Sequence, residues 1–162
     1  MTTSAAPTGF HIRNWGTLGW IETGLKVVAI IFGLLAFFNS GSGDLVIGGN
    51  QNIVAVAVLA LMTLIMIGVF FVRFSAKEIV SIVFGLFNAL GHAGLLIALL
   101  RTPEASGYGI LFGIFMVLGE VVRARYFQVS GYTEGGMSTA RMVMASRSFL
   151  VIYALITLAL IL

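Results

Sequence analysis

Apolar residues run almost without interruption through five stretches of the chain, and polar residues collect in the short segments between them. The first four stretches cover about 18–38, 53–72, 79–100 and 108–127. Each holds roughly the 20 residues that a helix needs to cross the hydrocarbon of a bilayer. None alternates polar with apolar in the manner of a strand, and inside lipid a lone span satisfies its backbone only as a helix. The fifth run, Phe149 to Leu162, has 14 residues and would reach only about 21 Å as a helix. A cap at Ser138 or Thr139 would start that helix earlier, and Arg141 and Arg147 can snorkel to the interface while the apolar part crosses. The pattern therefore favours a fifth span over 141–162. The expected fold is an all-α integral membrane protein, a bundle of four to five transmembrane helices forming a single domain over 1–162.

Composition agrees with the pattern. The chain is 59% hydrophobic and 9% charged, against about 25% charged in soluble domains. A water-soluble fold of 162 residues could not hide so much apolar surface. With no cysteine, disulfides, thiolate chemistry and Cys-ligated metals are excluded. The first 17 residues are polar and lack the apolar core of a cleaved signal peptide, so the first span is expected to act as an uncleaved signal anchor.

The net charge of +3 matters less than where the bases sit. With spans numbered alternately, Arg13, Lys26, Arg73, Lys77, Arg123, Arg125, Arg141 and Arg147 fall on the side of the N-terminus, and Arg101 alone falls opposite. By the positive-inside rule the N-terminus is expected in the cytoplasm, with the chain in the plasma (inner) membrane. Bases gathered at helix ends read as topology signals, and nucleic acid is not an expected partner. The loop from Asn39 to Asn52 carries Asp44 and no base, as an exported loop should. Trp15, Trp20, Tyr108 and Tyr126 lie near span ends and read as an interfacial belt.

Helices in lipid approach one another through small residues and polar groups. Ser81, Gly85, Ala89 and Ala93 recur every four residues in the third span; Gly109 and Gly113 form a GxxxG in the fourth; Ala29 and Gly33 repeat the spacing in the first. These ridges are expected to pack neighbouring helices of the chain, or alternatively to form a dimer face. The second span is almost purely apolar and is the expected lipid-facing helix, or one docked on another protein.

Charged groups at membrane depth are costly and by default point to function. Counted from the outer end of each span, Lys26, Asn88 and Glu120 each lie roughly 18 Å deep, and His92 roughly 12 Å. The shared layer predicts that Lys26 meets Glu120, with Asn88 completing the hydrogen bonds. Glu22, four residues before Lys26, and Arg123, one turn from Glu120, are candidate ion-pair partners. One reading of the layer is a closed pair that sets helix register; the other is a proton relay through Glu120 and His92. Above His92 the third span offers no further polar group.

No nucleophile elbow, HExxH or Walker A loop occurs. The glycine runs lack the Lys-Ser/Thr that holds phosphate, and two histidines are too few for a bis-haem site. No catalytic residue, metal or cofactor is implied. The leading expectation is a non-enzymatic structural or accessory subunit that packs against other membrane proteins or copies of itself. The alternative is a small proton-coupled transporter or channel using Lys26, Asn88, His92 and Glu120.

Overall fold

The computed structural model describes residues 12, 15–47, 52–75, 77–102, 107–133 and 136–162. His11, Arg13, Pro103, the glycines at 48 and 49 and the Glu134–Gly135 pair lie outside the described residues. Five helices follow in order: α1 (Thr17–Asn39), α2 (Ile53–Ser75), α3 (Ile79–Arg101), α4 (Gly107–Ser130) and α5 (Thr139–Ile161). Each has 23 or 24 residues, or about 35 Å, and each is apolar enough to cross a membrane. The chain is thus an all-α, multi-pass integral membrane bundle, with five candidate spans among the described residues.

The fifth helix forms for the reason its flank implied. Ser138 stands outside the helix with extended backbone, and its hydroxyl accepts from the Arg141 amide at 3.4 Å. This cap starts α5 ten residues before the apolar run, leaving Arg141 and Arg147 on the exposed surface.

The helices pack as a ring. α1 lies against α3 and α4, α4 against α5, α3 against α2, and α2 closes the ring by a light contact with α5. We call the end where α1 begins the base. At the opposite end Asn52 joins the two loosely packed helices: its Oδ1 accepts from Ala55 N and caps α2, and its Nδ2 donates to Ala159 O of α5 at 3.2 Å. Also at that end, Val46 N donates to Leu100 O, and Arg101 donates to Gly41 O. α3 is the most enclosed helix, half of its span being buried, while α2 is no more exposed than α1 or α5.

The small residues act between helices of the same chain. Gly33 meets Gly91 backbone to backbone: a Cβ on Gly33 would lie 2.9 Å from the Gly91 carbonyl carbon. The closest α1–α3 approach thus uses Gly91 and Gly94, which lie off the expected ridge. Within that ridge, Ser81 is buried and bonded to Glu78, Gly85 faces Phe70 and Arg73 of α2, Ala89 is buried and Ala93 half-buried. Gly113 faces Thr157 of α5, Gly109 lies between Leu95 of α3 and Leu160 of α5, and Ala29 is fully buried.

Among the belt aromatics, Trp20 and Tyr108 are exposed and Trp15 stacks edge-on to Trp20. Tyr126 departs from the expectation. It is buried in a cluster with Phe127, Tyr132 and Met142, where the α4–α5 connection folds back under the bundle.

Candidate functional site

Two helices supply the centre of the site because their charged residues lie at equal depth. Lys26 of α1 and Glu120 of α4 meet at 2.7 Å, with 4% and 2% of their surfaces exposed. The Lys26 stem crosses the α4 backbone at Gly119, where no side chain blocks it. Lys26 also holds Glu22, one turn earlier on its own helix, at 2.6 Å. Arg123 lies 3.6 Å from Glu120 on the following turn. One ammonium thus bridges two carboxylates, and a guanidinium stands behind one of them.

The remaining hydrogen-bonding capacity of Glu120 is met by α5. The Ser146 hydroxyl is 2.7 Å from Glu120 Oε2 and 3.1 Å from its backbone oxygen. Ser146 therefore takes the place expected for Asn88. The Asn88 amide instead donates from Nδ2 to Met66 Sδ at 3.4 Å, and its buried Oδ1 has no partner. Whichever way that amide is turned, one of its polar atoms is left for a ligand or water.

A cavity adjoins the pair. All five helices and the α4–α5 connection line it, with Tyr153 and Asn88 among its walls and Trp15 and Tyr132 toward the base. The space open to water centres is about 100 Å³, enough for several waters, each of which needs about 10–15 Å³ by this measure. Among the described residues, the charged side chains on its walls are Glu22, Lys26, Arg73, Glu120 and Arg123. Arg73 and Arg123 are steadied by aromatic faces, lying 5.7 Å from the Phe84 ring and 5.3 Å from the Phe127 ring.

Beyond the cavity the ring interior is closed. Phe112 meets His92 and Tyr153 edge to face, with the His92 and Phe112 centroids 4.9 Å apart, and all three residues are buried. The histidine bonds fix its tautomer. Its Nδ1 lies 2.8 Å from the Asn88 carbonyl oxygen, which can only accept, so Nδ1 carries the proton. In the neutral ring Nε2 then accepts from the Tyr153 hydroxyl at 2.7 Å. Leu59, Met62 and Leu95 fill the adjacent interior. His92 and Glu120 are not hydrogen-bonded to each other, and among the described residues no group of three His, Cys, Asp or Glu side chains can hold a metal.

Tyr153→Phe is expected to cost about 1–3 kcal/mol, because it leaves a buried ring nitrogen without its donor. Thermal unfolding in mild detergent measures this, and a variant as stable as the parent would mean that water takes the hydroxyl's place.

The predicted site residues Lys26, Glu22, Glu120 and Arg123 form one network, Asn88 lines the same cavity, and His92 sits in the closure above it. Reading the sequence missed Ser146, Tyr153 and Arg73. Ser146, Tyr153 and Thr157 recur at spacings of seven and four in α5 and all are buried. That polar stripe on one helix face was the available signal.

Fold and site together define the class: a multi-pass integral membrane protein whose five helices enclose a polar vestibule beside a buried Lys–Glu pair. Comparison with protein-family models, with curated proteins and with solved structures gives no match.

Proposed function

We propose that the chain is a small carrier of the plasma membrane, with its N-terminus in the cytoplasm. In this reading the vestibule takes up a proton, alone or together with a small polar solute, from the cytoplasmic face, and binding competes for the Lys26–Glu120 pair. The observation that carries the reading is the cavity itself. It holds several waters' volume against a charged pair at one end of the bundle, while Phe112, His92 and Tyr153 close the other side. A carrier open to one face has this form. The orientation rests on the eight-to-one distribution of basic residues.

The accessory-subunit reading draws less support. The small residues that would serve a docking face are used between helices of the same chain, and α2 offers no more open surface than α1 or α5.

Because the chain has no cysteine, one introduced thiol reports on one position. Thr23 lines the vestibule and takes no part in the ion pairs. Thr23→Cys is expected to react with a membrane-impermeant thiol reagent in inside-out vesicles and to stay unreacted in right-side-out vesicles. The reverse pattern would overturn the orientation, and no reaction from either side would overturn the open vestibule. In acid-loaded proteoliposomes, proton flux is expected and is lost on Glu120→Gln; a labelled vestibule with no flux would overturn the carrier.

A further inference from the structure

Two uncharged residues on the vestibule wall, Asn88 and Tyr153, have acceptor capacity left and no hydrogen to give. Asn88 Nδ2 donates to Met66 Sδ at 3.4 Å. A thioether only accepts, so the amide nitrogen faces Met66. The atom left without a partner is Oδ1, on a side chain whose residue is 8% exposed. The Tyr153 hydroxyl spends its one hydrogen on His92 Nε2 at 2.7 Å, and its oxygen can still accept. A buried acceptor without a donor is costly, and no group of the described residues meets Asn88 Oδ1.

Lys26 offers the opposite. Its ammonium has three hydrogens and two carboxylate partners, Glu22 and Glu120. Lys26 and Asn88 stand at equal depth, each nine residues into its helix and roughly 14 Å from the base.

We infer that the vestibule binds a small uncharged molecule of the primary amide or urea class, its N–H groups donating to Asn88 Oδ1 and the Tyr153 oxygen and its carbonyl oxygen accepting from Lys26.

Hydrogen count, charge and size each support that class. A primary amide carries two N–H hydrogens and one strong acceptor, the complement of what the three side chains leave open. A carboxylate, a phosphate or a ketone has no hydrogen for either oxygen. An alkylammonium finds both carboxylates already held by Lys26. The cavity of about 100 Å³ takes several waters at about 10–15 Å³ each, and so a solute of about four to six heavy atoms.

This inference deepens the carrier reading and rests on its open vestibule, but its test is binding at equilibrium, without flux. Acetamide and acetone are nearly equal in size, and only acetamide has hydrogens to donate. Each is titrated against the full chain in nanodiscs, and binding is read by saturation transfer to the probe's methyl protons. The parent is expected to bind acetamide tighter than acetone by roughly tenfold or more, since a site built for a donor rejects the analogue that lacks it. Asn88→Leu is expected to weaken acetamide about tenfold and to leave acetone unchanged. It should unfold at the parent's temperature, because the oxygen it removes had no partner. No acetamide bound, equal binding of the two probes by the parent, or undiminished acetamide binding in Asn88→Leu would overturn the inference, water then being the only occupant. Should Asn88→Leu fail to fold, the parent's preference between the two probes decides alone. Labelling of Thr23→Cys with no acetamide bound sinks this inference and leaves the vestibule standing; acetamide bound without flux keeps the site and overturns the carrier.

Discussion

Lys26→Met is expected to destabilise the bundle by about 3–5 kcal/mol, the usual consequence of removing one partner from a buried ion pair. Two carboxylates would lose their shared ammonium at once, since Lys26 holds Glu22 at 2.6 Å and Glu120 at 2.7 Å. Glu120 would keep only the Ser146 hydroxyl and the more distant Arg123. Glu120→Gln should cost less, because Lys26 retains Glu22. The double variant Lys26→Met, Glu120→Gln should be more stable than Lys26→Met alone, because the most deeply buried uncompensated charge is gone. Thermal unfolding of the four proteins in one detergent gives the coupling directly. If Lys26→Met unfolds at the parent's temperature, vestibule water screens the pair and the network does not hold α1 to α4.

Gly33→Ala is expected to lower stability by about 1–3 kcal/mol through overpacking, although alanine is the better helix former by about 0.5–1 kcal/mol. The sign follows from what the new methyl meets. It strikes the Gly91 carbonyl, which is backbone and cannot rotate away, so α1 and α3 must separate along their contact. Gly24→Ala is the matched control: nothing lies within 4 Å of its Cβ position, and only the gain in helix preference remains. Unfolding the pair side by side tests the claim, and equal midpoints would mean that the α1–α3 crossing yields easily.

Part of the site was legible because it depended on distance along single helices. The Glu22–Lys26 and Glu120–Arg123 contacts follow from spacings of four and three. The Lys26–Glu120 contact follows from equal depth in two antiparallel spans. Asn88 shows the limit of that argument. It has the right depth and lines the cavity, yet its amide turns to Met66 of α2 while Ser146 of α5 serves Glu120. Depth placed both residues near the pair, but the ring order of the helices decided which one touches it. The same holds for the third span, where the Ser81–Ala93 ridge was readable, but the closest approach to α1 fell on Gly91 and Gly94.

By itself the sequence determined that this is a membrane protein of four to five spans, about where each helix lies, and which charges share a level. Those properties are one-dimensional: a fixed rise per residue set against a fixed hydrocarbon thickness. The tertiary structure alone decided the ring order, the loose α2–α5 seam, the partners of Ser146 and Tyr153, and the use of the glycines within the chain. In water an apolar stripe marks the face of a helix that turns inward. In lipid the outside is as apolar as the inside, so that mark is missing, and which way each helix faces is settled only when the helices pack.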